Sequence, residues 1–354
     1  MNCTVSIVIP FYNRKDYTRI MVESIVSQTY NDWELLMVDD GCQDGTDDLI
    51  KKFANIDDRI KYYRREDYSL VKGACSSRNI GLCHAVGKYI IFFDSDDWIH
   101  PDCLKNRVEF MNLNPHLDFA VFPYYNYVDK NLINGSVVSG VPIGKKDNDL
   151  FNLAIRNLPF TVVSNIYRTQ SLRDSHIEWD EHLLSLQDAD FNITSLLAGL
   201  SYEYCTNYGF DYYVRMKHNR GSVSHSIRQT EHLDSHLYYF SKQKKRIELL
   251  NNPKLNKGIT LLSYSIYLLL KDDRCSKRKL LEAAKCKELK ARDLLYEALS
   301  IIHIPPKLIS GLLFYNLSSK FRVATKQRGV KGKVLYEKSR KIIYEIESLM
   351  LLEG

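Results

Sequence analysis

Phe92-Phe93-Asp94-Ser95-Asp96-Asp97-Trp98-Ile99-His100-Pro101 follows directly on Gly87-Lys88-Tyr89-Ile90-Ile91. The run 88–93 is apolar, β-branched and aromatic, the composition of a buried strand. Three carboxylates then fall within four residues at its carboxyl end. In open α/β sheets that end of a strand is where ligands bind. Burying carboxylates there is costly unless a cation pairs with them. Hard divalent ions such as Mg²⁺ or Mn²⁺ take one or two carboxylates together with substrate phosphates. The segment therefore reads as a metal–diphosphate site at a strand end, against the plainer reading of a solvated acidic turn.

Upstream, Val5-Ser6-Ile7-Val8-Ile9-Pro10 predicts a first strand stopped by proline, followed by the loop Phe11-Tyr12-Asn13-Arg14. Residues 17–27 have the apolar spacing of an amphipathic helix. Residues 33–38 predict a second strand, which ends in Asp39-Asp40-Gly41. Asp44-Gly45-Thr46-Asp47 suits the cap of a helix over 47–54. A short third strand over 60–64 and a helix over 74–86 lead into the strand 88–93. This β-α-β-α-β-α-β alternation implies a Rossmann-like, mostly parallel sheet flanked by helices. Two strand ends, at 39–40 and 94–97, then carry acids on one edge of that sheet. The chain has neither GxGxxG nor GxxxxGK[ST], so a bound phosphate must be held by metal and basic side chains rather than by a glycine cradle.

Downstream, helices are expected over 102–114 and 169–174, a strand over 118–123, and a strand or loop over 160–168. Residues 124–150 predict a polar excursion or hairpin, and 202–215 are aromatic and β-prone. Ser185-Leu186-Gln187-Asp188-Ala189-Asp190-Phe191 leads into a further helix, and 217–226 is a polar, basic loop. From about residue 230 the pattern is helical, broken at Pro253 and Pro305-Pro306.

The whole chain has 354 residues and a net charge of +6. That value hides an asymmetry: residues 1–227 carry 23 Lys and Arg against 30 Asp and Glu, and residues 228–354 carry 26 against 13. The division suggests one domain over 1–227 and a basic, mainly helical region over 228–354. No run of eighteen apolar residues is present, and MNCTVSIVIPFYN lacks a basic leader pattern. Eight cysteines without CxxC spacing read as reduced thiols. Together these predict a cytoplasmic protein, with peripheral contact at the inner face of the cell membrane as one reading of its basic rear. An ordinary helical subdomain is the other reading. Nucleic acid is not an expected partner, because the acidic front half has the wrong sign for a phosphate backbone.

Five segments occur in the order seen in family 2 glycosyltransferases: 5–14 (VSIVIPFYNR), Leu36-Met37-Val38-Asp39-Asp40-Gly41, Arg78-Asn79-Ile80-Gly81, Asp94-Ser95-Asp96-Asp97, and Gln187-Asp188 with Phe191. Residues 3–226 resemble that family. The resemblance implies the GT-A fold and an inverting, metal-dependent enzyme of bacterial surface-polysaccharide synthesis. Such an enzyme moves a sugar from a nucleoside-diphosphate donor, a UDP-sugar by this likeness, to a glycan or lipid-linked acceptor. By the same resemblance, Pro10, Tyr12 and Asn13 lie against the nucleotide base, Tyr12 offering a stacking face. Asp40 accepts a hydrogen bond from the base, and Asp39 supports the turn. Arg78 lies near the donor diphosphate, and Asp94, with Ser95 beside it, touches the ribose. Asp96 binds Mn²⁺ or Mg²⁺. Asp188 matches the general base, although Gln187 stands where the family usually has Glu. Arg215 and His218 resemble a late segment that closes over the diphosphate, with His218 as a further metal ligand.

Other phosphate-handling α/β domains compete with this reading. A phospho-acceptor receiver domain is a compact unit and predicts nothing at 187–191. A phosphatase needs its nucleophilic Asp after the first strand, where this chain has Pro10-Phe11-Tyr12. A nucleotide-binding module without transfer, or a basic binding module, leaves the acidic strand ends unexplained.

Overall fold

The computed structural model describes residues 3–128, 131–132, 140–142, 145–154, 158–216 and 230–250. Its strands, in chain order, are β1 (Val5–Phe11), β2 (Trp33–Asp39), β3 (Ile60–Arg64), β4 (Tyr89–Phe92), β5 (Trp98–Ile99), β6 (Phe119–Val121), β7 (Tyr124–Val128), β8 (Asn131–Leu132), β9 (Asn165–Arg168), β10 (Tyr202–Tyr204) and β11 (Tyr212–Met216). The helices are α1 (Lys15–Val26), α2 (Thr46–Ile56), α3 (Ala74–His84), α4 (Cys103–Leu113), α5 (Asp149–Ala154), α6 (Thr169–Asp174), α7 (Gln187–Leu197) and α8 (Thr230–Leu249).

Seven strands form the central sheet in the order β10-β6-β9-β4-β1-β2-β3. β1 through β4 run parallel, as the alternation of strands and helices requires. β9 is antiparallel to both β4 and β6. The stretch 160–168, open between strand and loop in the sequence, divides into a single 3-10 turn over Val162–Ser164 and then β9. A second sheet, β5-β11-β7-β8, gathers the hairpin expected within 124–150, as β7 and β8, and most of β11 from the β-prone run 202–215, but its strand β5 was not expected. Its edge strand β5 is two residues long, too short for any hydrophobic period to register. The β-prone run 202–215 is shared between the sheets, since β10 pairs with β6 and β11 with β5 and β7.

The first strand does not stop at Pro10 but continues to Phe11, pairing with β2 throughout. The reason lies on the other side of β1. Val8 O accepts the Phe93 N–H, so even-numbered residues of β1 face β4, and that ladder ends at the Val8–Phe92 pair. Pro10 lies beyond it, where a missing N–H costs no ladder bond.

Both faces of the sheet are covered, which is why β1 and β2 are almost continuously apolar. Val5, Ile7, Ile9 and Phe11 pack with Leu35 and Met37 in one cluster, while Val8 and Leu36 pack in the other. Helix α3 sits close on the second face because Gly81 has no side chain. A Cβ there would lie 2.2 Å from Val8 Cγ1. One buried ion pair joins the two sheets' surroundings. Arg107 donates from Nε and Nη2 to the two Asp211 oxygens at 2.7 and 2.9 Å, and from Nη1 to Val163 O at 3.0 Å. The loop 217–226, including His218, lies outside the described residues, as does the helical expectation for 251–354.

Candidate active site

The acids of the turn after β4 have separate surroundings. Asp97 is buried and bound on both oxygens: Tyr212 Oη donates to Oδ2 at 2.7 Å and the Arg215 N–H to Oδ1 at 2.8 Å. Burial, followed by the neighbouring charges of Asp96 and Asp94, pushes its carboxyl well above the usual carboxylate range. Tyr212 Oη also accepts the Asp94 N–H at 3.2 Å. One tyrosine of β11 therefore pins both ends of the acidic turn. Ser95 is buried between them. Asp96 accepts from Arg14 Nη1 at 2.6 Å. Arg14 and Asn13 both have left-handed backbones, with φ of 66° and 56°, which turns the chain sharply between β1 and α1. The Arg215 guanidinium lies 3.9 Å from the centre of the Tyr17 ring.

The end of β2 is ordered in a different way. Asp39 accepts the Gly41 and Cys42 N–H groups on Oδ1 and the Tyr62 hydroxyl on Oδ2, so it supports the turn. Asp40 Oδ1 accepts from Arg65 Nε at 2.6 Å and from the Gly73 N–H at 3.1 Å. Burial shifts the Asp40 carboxyl upward, and these two donors oppose the shift. Arg65 Nη1 also donates to Ser69 O at 2.6 Å, which folds the 66–73 loop against the strand end. From that loop Lys72 Nζ reaches to 4.1 Å from the centre of the Tyr12 ring, itself 43% exposed. Asn13 closes the group, its Oδ1 accepting the Gln43 N–H at 3.0 Å.

Arg78, on α3, connects these strand ends to α7. It is buried, and its Nη2 donates to Asp94 Oδ1 at 2.7 Å while Nη1 donates to Gln187 Oε1 at 3.1 Å. Its guanidinium carbon lies 4.4 Å from the Trp179 ring centre. The next residue after Gln187 is Asp188, half-buried in the first turn of α7. Burial pushes its carboxyl up to about 6; the Arg78 charge works against that rise and the Asp94 charge adds to it. Gln187 thus has a physical task where a glutamate is usual: it accepts from Arg78 and adds no second negative charge beside Asp188. Asp190 belongs to a different environment. It is 1% exposed and its oxygens accept from Lys242 and Gln243 at 2.7 and 2.6 Å.

Three contributors escaped the sequence reading. Arg65 was findable, because the parallel register sets Asp39 opposite Arg64 and so brings Arg65 to Asp40. Tyr212 and Trp179 carry no signal of this kind. Tyr212 is one of 24 tyrosines, and Trp179 precedes the α7 motif in an irregular segment.

The residues fit a small hard cation. Asp94 and Asp96 present carboxylate oxygens two positions apart, and Asp96 already attracts the Arg14 guanidinium. Among the described residues no group of three or more His, Cys, Asp or Glu is placed to hold a metal. A site of one or two carboxylates, completed by water and phosphate, is the form Mg²⁺ and Mn²⁺ adopt.

Comparison with known proteins agrees with this architecture. Residues 6–175 match the family model for glycosyl transferase family 2. The glycosyltransferase GlyA of Streptococcus pneumoniae is 35% identical over 127 residues, which are 35% of this chain and 17% of that protein. The UDP-Glc:alpha-D-GlcNAc-diphosphoundecaprenol beta-1,3-glucosyltransferase WfaP of Escherichia coli is 37% identical over 139 residues, 39% of this chain and 52% of that protein. The chain thus spans from about a sixth to about half the length of these curated relatives. Residues 1–349 of S. aureus TarS, solved in complex with UDP-GlcNAc, share the fold at a TM-score of 0.58 and 18% identity, covering 96% of this chain and 92% of that one. Among the described residues no helix is long and apolar enough to cross a membrane. Residues 6–175, just under half of the chain, match glycosyl transferase family 2, and the mostly parallel central sheet is of the GT-A type.

Proposed function

We propose that the protein transfers a glycosyl group, with inversion, from a nucleoside-diphosphate sugar to a hydroxyl of a glycan or lipid-linked acceptor. A UDP-sugar is the donor we favour, since WfaP is named for UDP-Glc. The observation that carries the reading is Asp188: a half-buried carboxylate poised near 6, in the field of the Arg78–Asp94 pair. A general base works best when its pKa lies close to the working pH.

In this mechanism the Tyr12 ring face and the second oxygen of Asp40 receive the base, with Pro10 and Asn13 shaping the loop. Arg65 and Gly73 hold Asp40 in place. Asp94 meets the ribose, and Arg78 fixes Asp94 rather than reaching the phosphates itself. Asp96, with Asp94 and Ser95 alongside, would hold a divalent ion whose Lewis acidity neutralises charge on the departing diphosphate. Asp188 takes the acceptor proton as the acceptor oxygen bonds to the anomeric carbon. The bond from that carbon to the diphosphate oxygen breaks, and its electron pair leaves with the diphosphate. One in-line displacement inverts the configuration. The excess of Lys and Arg beyond residue 227 suits contact with an anionic lipid surface.

The test is UDP binding to the purified protein with and without Mn²⁺, followed by a screen of UDP-sugars with the anomeric configuration of the product read by NMR. Binding that is indifferent to metal, or a product of retained configuration, overturns the proposal.

A further inference from the structure

Helix α8 begins where the charge of the chain changes sign, and its side chains converge on the segment carrying Asp188. Lys242 Nζ donates to Asp180 Oδ2 at 2.6 Å and to Asp190 Oδ2 at 2.7 Å, bridging the two ends of that segment. Gln243 Nε2 donates to Asp190 Oδ1 at 2.6 Å, and Arg246 Nη1 to Thr194 Oγ1 at 2.9 Å, one turn further along α7. Ser235 Oγ accepts the N–H groups of Leu184 and Ser185 at 2.9 and 3.1 Å. Tyr238 Oη donates to Asp180 Oδ2 at 3.0 Å.

Between these anchors lies Leu186, with a φ of 62°. A branched side chain in the left-handed region is sterically unfavourable and persists where its surroundings over-determine it. Here the over-determination comes from α8, which grips the chain on both sides of Leu186. Two residues further on is Asp188. The carboxylate of Asp190 is consumed by this grip, which accounts for a buried acid that transfer chemistry does not need.

We propose that α8 is a positioning element of the transfer site: Lys242 and Ser235 hold segment 180–190 so that Asp188 keeps its place against Arg78 and Asp94. The inference rests on Asp188 acting as the base. It makes the first helix beyond residue 227 a working part of the site rather than the start of a separate unit. Neither Lys242 nor Ser235 touches substrate in this scheme; both act through Asp188.

A double-mutant cycle in the full chain tests it. Lys242→Met, Lys242→Arg and Ser235→Ala are each made alone and in an Asp188→Asn background, and kcat, acceptor KM and UDP affinity are measured. Ser235→Ala removes one oxygen atom and covers the case in which Lys242→Met does not fold. Misplacing a catalytic group by about an ångström costs on the order of 100-fold, so Lys242→Met and Ser235→Ala should lower kcat by about 10- to 100-fold. UDP affinity should stay within about twofold, and Lys242→Arg should recover most of kcat. In the Asp188→Asn background neither substitution should lower the rate further, because residues acting as a unit are non-additive. Losses that multiply with that of Asp188→Asn, or wild-type kcat in both variants, overturn the inference and leave the base assignment standing. Wild-type kcat in Asp188→Asn alone removes the base, and this inference with it.

Discussion

Asp188→Asn separates chemistry from folding in one substitution. The side chain keeps its size and loses its ability to accept a proton. With the carboxyl pushed up to about 6, Asp188 is largely ionised at pH 7.5 and largely protonated at pH 5. Wild-type kcat/KM should therefore rise roughly tenfold per unit below pH 6 and level off above it, since the ionised form is the base. The Asn variant should lose about 10²–10⁴ in kcat, equivalent to about 2.7–5.4 kcat-derived kcal/mol of barrier. Its stability should move the other way. A carboxylate whose folded pKa is raised binds its proton more tightly in the folded state, so its contribution falls as pH climbs from the unfolded value through about 6. At pH 7.5 the amide removes that penalty, and Tm should hold or increase. The assay is initial-rate transfer from pH 5 to 8.5, with calorimetric Tm and UDP affinity on the same preparations. A variant of wild-type kcat, or a wild-type profile flat between pH 5 and 7, refutes the reasoning. A loss of activity matched by a fall in Tm refutes it too, since that marks a structural role.

Asp96→Ala should abolish the part of UDP binding that depends on Mn²⁺, and equal titrations of mutant and wild type would exclude Asp96 from the metal. Asp40→Ala should weaken UDP binding by about 1.5–3 kcal/mol, the worth of a hydrogen bond to a charged group; unchanged affinity by calorimetry would make Asp40 purely the anchor of Arg65. Arg107→Met leaves Asp211 buried without its bidentate partner and should cost about 3–5 kcal/mol in denaturant unfolding. A shift below about 1 kcal/mol would mean that Asp211 regains water or a new donor. Co-sedimentation with vesicles should rise with acidic lipid content and fall with salt; salt-insensitive or absent binding removes the membrane contact.

β1, β2 and β4 were legible because they are buried on both faces and so stand out as apolar runs. The boundaries of β3 and α6 fall where the pattern put them. β5 was not legible, and β9 was legible only as one side of an open choice between strand and loop, for different reasons. β5 has two residues, and β9 follows a turn that breaks the strand-like run from 160. The candidate site shows the same division. Asp39, Asp40, Asp94, Asp96 and Asp97 announce themselves by standing at strand ends. The partners that set their properties do not, because they arrive through tertiary contact: Tyr212 on Asp97, Arg65 on Asp40, Trp179 beneath Arg78. Gln187 looked like a departure from a pattern, and its contact with Arg78 gives it a purpose that no local rule contains.

The partners of Asp97 also set an order of events during synthesis. Tyr212 and the Arg215 amide follow Asp97 by 115 and 118 residues. A nascent chain that has released β1 through β4 already holds the acids and most of one face of the sheet. It cannot yet bury Asp97, whose hydrogen-bond partners have not yet been synthesised. The acidic turn is therefore among the last parts to assemble, after the closure of a loop longer than many whole domains. Contacts of such separation are slow to form, and a chain of this size folds through intermediates in which surfaces of this kind stay open. A polypeptide ending before β11 would keep the sheet and lack the site.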